Sequence, residues 1–384
     1  MSLIPDFIRR RFEPKEKRVT VYPTYGYRKP GADEWTIPLR VWVHKRRQVA
    51  LELIALHVRH SFEQDLERGL EPAEEERLKD CLSEFIADDD SNEAVEISFE
   101  KDAPGGSFQL SRRTSFNGLV EEEVRLPAAK AEELLKAQGS GSKWLTLSAR
   151  AEGFSGTGRV RLLDATGVSV VSDIDDTIKV TKVPAGKKTV LRRTFLEPYE
   201  AVPKMSERYA GLHAGGGDVS FHYVSGSPWQ MYRLLRQFLI EESRFPEGTF
   251  HMKSLRKNLF ERGSWQDIRS FVLAGETATL EQKIEQITEL MVNLPGRDFV
   301  LFGDSGEKDP EVYRALVRLF PGRVKEIFIR DVLGRRLTSP ADDVQIQLIE
   351  ADSVFFDTER LADRIKKEVL ERKGLNLPPE GGGS

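Results

Sequence analysis

Three aspartates, Asp173, Asp175 and Asp176, fall within four residues directly after the apolar run VSVVS. Like charges that close repel one another unless a cation balances them. A second acidic pair, Asp304 and Asp309, follows the run FVLFG in GDSGEKD. Carboxylates in this number suit a hard divalent cation. Magnesium prefers oxygen donors, keeps several waters and often uses one or two carboxylates plus substrate phosphate. Asp173 and Asp304 are the expected direct ligands. The carbonyl of Asp175 is a further candidate, and Asp309 helps directly or through water. Such an ion offsets the repulsion between a carboxylate and phosphate oxygens, which makes Asp173 a usable nucleophile toward phosphorus. Asp175, two positions on, is then placed to protonate the leaving alcohol and later to activate water. Asp176 is read as local structure.

Two further clusters offer phosphate contacts. In SGSPWQ, Ser225 supplies a hydroxyl, and Ser227 and Pro228 read as the N-cap and first residue of a helix. Its backbone N–H groups would face an anion, and Gly226 is grouped with the two serines as a substrate contact. Thr177 is grouped with these serines as a substrate contact. Lys283, near the start of a helical stretch, would neutralise phosphate and nucleophile. Lys253 is the alternative lysine, in FHMKSL. His57 and His60 have helical spacing but no third ligand nearby, so they read as ordinary helix residues.

These residues need a scaffold. VSVVSDIDD, DVSFHYVSGS, RDFVLFGDSGEKD and RVKEIFIRDV each read as a compact strand ending in polar residues. PWQMYRLLRQFLIEE, TLEQKIEQITELMVNL and DPEVYRALVRLF read as helices between them. The alternation predicts an α/β fold with a doubly wound parallel sheet, whose polar strand ends gather along one edge. The preceding residues read as a smaller, β-rich α+β domain. Its strands include RVTVYPTYGYR, EWTIPLRVWVHK, LVEEEVRL, WLTLSARAE and GRVRLLD. The helical stretches VALELIALHVRHSFEQDL and EPAEEERLKDCLSEFIA are inserted among them. A sandwich or a barrel fits equally, and Trp35, Trp42 and Tyr25 read as core. The expected organisation is an accessory domain over 1–165, a catalytic domain over 166–375 and a flexible tail over 376–384.

The totals exclude several classes. In 384 residues the net charge is −4, which argues against a general nucleic-acid binder. A single cysteine, Cys81, rules out an intrachain disulfide and fits a cytoplasmic setting. No run reaches the ~18 apolar residues of a transmembrane segment. The start, MSLIPDFIRRRFEPKEKR, is a poor signal peptide; it is either a segment packed on its own domain or a basic amphipathic segment meeting anionic lipid.

The motifs in this order resemble the haloacid dehalogenase (HAD) superfamily of phosphohydrolases. DIDDTIKVTKV, FHYVSGSPWQMY, FPEGTFHMK and FVLFGDSGEKDPEVY resemble the actin-patch-protein type of magnesium-dependent phosphatidate phosphatase, a relative of the lipin catalytic domain. The resemblance covers roughly 170–335 and extends more loosely to YPTYGY and VWVHK. It implies Asp173 as nucleophile, Asp175 as acid and base, and Ser225 and Lys283 on phosphate. It places Asp304 and Asp309 at the Mg2+ ion. It also implies cleavage of phosphatidate to diacylglycerol and phosphate at a membrane surface. No stretch reads as a large cap domain, so the HAD-like sheet is expected uncovered, with Arg192, Arg193, Arg256 and Lys257 able to meet lipid. A phosphatase for a soluble phosphometabolite or phosphoprotein, and a non-catalytic lipid-binding module, are the alternatives.

Overall fold

The computed structural model describes residues 16–29, 31–46, 48–99, 107–214, 217–254, 276–333, 346–348 and 358–375. The N-terminal segment and the stretch holding Arg256 and Lys257 lie outside these residues.

The first half builds two facing sheets. One joins β1 (Glu16–Val21), β3 (Glu34–Arg46), β4 (Ala87–Asp89) and β7 (Leu119–Pro127), all antiparallel. The other runs in the order β2 (Thr24–Gly26), β9 (Phe154–Leu162), β8 (Trp144–Ala151), β5 (Glu96–Ser98) and β6 (Ser107–Gln109). Residues 35, 37, 39, 41 and 43 of β3 share a core with Leu145, Leu147, Val160 and Leu162 of the second sheet. Of the two architectures expected, this is the sandwich.

The opposite face of β3 serves the other half of the molecule. Trp42 joins the core around Val170, Phe221 and Phe302, and Arg40 lies over the Trp229 ring at 4.6 Å. A period of two therefore gives one strand two cores, which is why VWV carries no polar position. Between β3 and β4 the chain forms an antiparallel helix pair, α1 (Gln48–Leu66) and α2 (Pro72–Phe85). Their apolar faces, including Phe62 and Phe85, pack on Phe195 of the second half. A helix that the sequence reading passed over, α3 (Ala128–Ala137), covers the end of the sandwich.

The second half is a six-stranded sheet in the order β12 (Thr249–Lys253), β11 (Val219–Pro228), β10 (Gly167–Asp173), β13 (Arg297–Asp304), β14 (Val324–Arg330) and β15 (Ile346–Leu348). All pairs are parallel except the last. FHMKSL supplies the edge strand β12. The mixed α/β class expected from the alternation is borne out. Helices α4 (Lys187–Phe195), α5 (Met205–Ala214) and the short α6 (Tyr232–Arg236) lie toward one core. On the other face lie α7 (Glu276–Asn293), α8 (Asp309–Leu319) and α9 (Thr358–Arg372), packed by Ile284, Ile287, Val312, Leu316, Ile365 and Val369. The α9 helix was not anticipated, although its apolar i, i+4 spacing was readable.

The trailing edge of this sheet is tied by Arg297, fully buried at the start of β13. Its guanidinium donates to the carbonyls of Asp164, Thr166, Val168 and Asp218, and to the Asp218 carboxylate at 2.7 Å. Gly167 has φ +131°, and a Cβ there would lie 2.4 Å from the Asp218 carbonyl, so the turn into β10 requires glycine.

A candidate active site at the switch point of the parallel sheet

From β10 the chain moves to β11 and β12 on one side; β13 and β14 fill the other. The switch therefore lies between the carboxyl ends of β10 and β13, where a doubly wound sheet opens a crevice. Asp173 ends β10 and Asp304 ends β13. One carboxylate oxygen from each of Asp173, Asp304, Glu307 and Asp309 lies within 4.8 Å of all the others. Asp173, Asp304 and Asp309 are at most 2% exposed.

Local backbone fixes this geometry. Asp309, the first residue of α8, accepts the Asp304 N–H on Oδ2 at 3.1 Å. A Cβ on Gly303 would lie 2.6 Å from Asp309 Oδ2, so only glycine lets the carboxylate approach the strand. Asp304 Oδ1 accepts the N–H groups of Gly306 (2.6 Å) and Glu307 (3.1 Å). Asp304 Oδ2 is buried and accepts no hydrogen bond.

Lys283 reaches the cluster from α7. Its Nζ donates to Asp173 Oδ1 at 2.8 Å, Glu307 Oε2 at 2.8 Å and Asp309 Oδ1 at 2.5 Å. Burial alone would lower its pKa; Asp173, Asp309 and Glu307 hold it well above the ordinary lysine value. One ammonium contacts three of the four carboxyl groups. Burial, then the neighbouring acids, pushes Asp304 well above the usual carboxylate range. Burial likewise raises Asp173 and Glu307 against the opposing pull of Lys283. Surplus buried acid and an oxygen without a donor are the features that a bound cation would satisfy. All-oxygen ligation is the donor set of magnesium or a similar hard ion.

The other expected residues converge on the same edge, not always in the expected role. Thr177 donates its hydroxyl to Asp173 Oδ2 at 3.0 Å, a contact to the aspartate that the sequence reading did not anticipate. Asp176, at φ +57°, accepts the N–H groups of Thr181 and Lys182 at 2.8 and 2.7 Å and closes the loop. Asp175 turns away from the acid cluster. Its Oδ1 takes Lys179 Nζ at 2.5 Å and the Thr181 hydroxyl at 2.6 Å. Its Oδ2 takes the hydroxyls of Ser227 and Ser225 at 3.3 and 3.5 Å. Burial works to raise its pKa, but Lys179 and these hydrogen bonds bring it below the ordinary value.

Ser227 is not a helix cap. Strand β11 runs on through Pro228, whose partner is Lys253, and a 3-10 turn over Trp229–Met231 precedes α6. Ser225–Ser227 bulge out of the β11–β12 ladder between the pairs Val224–His251 and Pro228–Lys253, and the chain rejoins the strand at Pro228 instead of opening a helix at Ser227. Ser225 is fully buried, and its Oγ accepts the Ser227 N–H at 3.0 Å. Gln282 of α7 donates to the Ser225 carbonyl at 3.0 Å and locks the segment to the helix that carries Lys283. A Cβ on Gly226 would press on Thr279 at 2.8 Å.

Sequence reasoning missed Glu307, three residues beyond Asp304 in the quoted GDSGEKD. It overlooked Lys179 and Thr181, the partners of Asp175. Lys253, the alternative lysine, ends β12 opposite Pro228. Arg192 and Arg193, expected to meet lipid, pair with Glu197, and Arg193 also with Glu200. His57 and His60 are exposed on α1, and His60 faces Gln64 at 3.0 Å. A second acidic group, Asp90, Glu93 and Glu152, already encloses Lys17 Nζ at 2.7, 3.2 and 2.7 Å. Among the described residues, no helix is long and apolar enough to cross a membrane.

Comparison with known proteins agrees with this location. Residues 168–331 match the family described as phosphatidate phosphatase APP1, catalytic domain. Phosphatidate phosphatase APP1 of Saccharomyces cerevisiae is 28% identical over 229 residues, covering 59% of this chain and 36% of the yeast protein. The uncharacterized protein C29B5.04c of Schizosaccharomyces pombe is 31% identical over 180 residues, covering 46% of this chain and 27% of its own length. The chain thus aligns with about a third of the length of these relatives. A solved carbohydrate esterase covers 96% of this chain and 99% of its own at 10% identity, but its TM-score of 0.21 says nothing about the fold. The resemblance read from the motifs holds: the chain is APP1-like over 168–331, the segment that contains every residue of the acid cluster, Lys283, Ser225 and Asp175.

Proposed function

We propose that this chain is a Mg2+-dependent phosphomonoesterase of the HAD type, acting on phosphatidate to give diacylglycerol and phosphate. The observation that carries it is the set of buried Asp173, Asp304 and Asp309 and half-buried Glu307 with Lys283 at a sheet switch point, inside the segment that matches the phosphatidate phosphatase family. We assign residues 1–165 to an accessory domain, 166–375 to the catalytic domain and 376–384 to a tail. The site is assigned to a cytoplasmic protein meeting a phospholipid surface from outside, with no nucleic-acid partner.

Asp173, Asp304, Glu307 and Asp309 would hold the cation, with the Asp175 carbonyl as a further donor. When bound, Mg2+ supplies positive charge against the phosphate oxygens and the charge developing on them. The remaining chemistry belongs to the chain. The Ser225 hydroxyl and Lys283 ammonium hold the phosphate. Thr177 fixes the Asp173 carboxylate. An oxygen of Asp173 attacks phosphorus and the bond to the lipid alcohol breaks; Asp175 gives its proton to the departing oxygen from its protonated form, the minor one beside Lys179. Asp175 then takes a proton from water as that water attacks the aspartyl-phosphate, releasing phosphate and restoring Asp173.

The testing experiment offers the purified protein phosphatidate in mixed vesicles and a panel of soluble phosphate esters, with Mg2+ or EDTA. Phosphate release from phosphatidate with Mg2+, lost with EDTA and with Asp173→Asn, is the expected result. Turnover confined to soluble esters would move the assignment to a metabolite phosphatase.

A further inference from the structure

Asp175 is held asymmetrically, and the residue that holds it is not part of the acid cluster. Lys179 is 3% exposed, and its ammonium donates both to Asp175 Oδ1 (2.5 Å) and to the Thr181 hydroxyl (2.7 Å). The Thr181 hydroxyl in turn donates to the same Oδ1 at 2.6 Å. These three groups form a closed triangle. Oδ2 has only the long contacts to Ser227 (3.3 Å) and Ser225 (3.5 Å). One oxygen of the carboxylate is saturated, and the other faces the serine assigned to phosphate.

The Lys179 ammonium is itself restrained. It lies 5.0 Å from the centre of the Tyr199 ring, whose other contacts include Arg77 of α2 at 4.3 Å. Backbone bonds fix the base of the side chain: the Lys179 N–H donates to Ile174 and its carbonyl accepts the Asp176 N–H, at 2.9 and 2.7 Å. A buried ammonium with such partners is a rigid anchor, and a charge-assisted bond is roughly twice as strong as a neutral one.

We propose that Lys179, with Thr181, is a positioning residue for the acid–base step: it fixes Asp175 through Oδ1 so that Oδ2 carries the proton to and from the substrate. This rests on the reaction proposed above. The Lys179 ammonium donates to Asp175 and Thr181 and to none of the four clustered carboxylates, so it would act through Asp175.

The test uses two esters that differ in how much they need the proton. An alkyl phosphate leaves as a basic alkoxide and requires protonation; an aryl phosphate with an acidic phenol does not. In Lys179→Met, kcat for the alkyl ester should fall about 100-fold, the lower end of general acid catalysis, while the aryl ester changes by only a few-fold and KM for both stays level. Thr181→Val should show the same selectivity with a smaller loss, and Lys179→Arg should recover part of the alkyl rate. A crystal structure of Lys179→Met should show the Asp175 carboxylate rotated away from Ser225 and Ser227. Equal losses for the two esters, or an Asp175 carboxylate unmoved in that crystal structure, would overturn the positioning role. Asp175→Asn is the reference: its own alkyl-selective loss upholds the reaction even where Lys179 fails. Without that selectivity in Asp175→Asn, the proposed reaction and the role of Lys179 fall together.

Discussion

Lys283 Nζ lies 2.8 Å from Asp173 Oδ1, and both groups are buried. The ammonium is shared with Asp309 and Glu307, so a single lysine spans the residue proposed to attack and two of the residues proposed to hold the ion. Replacing it removes charge from both at once. Lys283→Met should lower turnover by about 10²–10³-fold, the scale of losing one preorganised donor at a transition state. Steady-state kinetics on phosphatidate vesicles checks this; a loss under about 10-fold would place phosphate charge neutralisation elsewhere.

Asp304 Oδ2 has no donor in its buried position, and a cation is the natural partner. Mg2+ should raise the thermal midpoint of the wild-type protein, by the equivalent of about 2.7 kcal/mol when the ion is at a hundred times its dissociation constant. In Asp304→Asn the shift should vanish at the same Mg2+ concentration. Calorimetry with and without EDTA reads this without any substrate. An unaltered shift in the variant would remove Asp304 from the ion site.

Thr177 contributes one hydrogen bond to Asp173 Oδ2. Such a bond is worth about 1 kcal/mol net, so Thr177→Val should cut kcat roughly 5-fold and leave KM nearly unchanged. Were Thr177 instead a direct phosphate contact, KM would rise along with the loss in kcat.

Two histidines, His222 buried and His251 half-buried, give the fold a pH dependence of known sign. Burial, then His251 and Arg297, lowers His222 well below the ordinary value, and burial lowers His251 to about 4. Between about pH 6.5 and 4 the unfolded chain binds protons at these positions that the folded chain does not, so each contributes stability that is lost as pH falls. The raised carboxyls of Asp173, Asp304 and Glu307 act in the opposite sense, because there the folded chain holds the extra proton. The difference between wild type and His251→Gln isolates the histidine. Urea unfolding at pH 7 and pH 5 should show the wild type losing up to about 1.4 kcal/mol more per pH unit than the variant. Parallel slopes for the two proteins would show that His251 titrates normally.

The strand-end aspartates were legible because two strong local rules coincide: an apolar run bounds a buried strand, and acids there must meet a counter-charge. Asp304 and Asp309 were legible for the same reason. Glu307 was not, since its place depends on how the GDSGEKD loop folds back on Lys283, a contact 24 residues apart in sequence. Ser227 misled because Ser–Pro is a good helix start in isolation. Pairing of Pro228 with Lys253 on the neighbouring strand overrides that preference. The partners of Asp175 were hidden for a similar reason. Lys179 follows it by four residues, a spacing that means contact on a helix, but here a loop closed by Asp176 makes the contact. The sandwich could not be told from a barrel because both share alternating strands, and only the division of the strands into two sheets over one shared core separates them.

The central claim is that Asp173 takes the phosphoryl group. Asp175→Asn should slow hydrolysis of the intermediate but leave its formation from the aryl phosphate nearly intact, so the variant quenched in acid during turnover of that ester can be digested and its peptides weighed. One phosphoryl group on the peptide carrying Asp173, absent from Asp173→Asn treated in the same way, is the predicted result. Phosphate release by the wild type with no phosphorylated aspartate under any quench, or with the phosphoryl group on another residue, would contradict it.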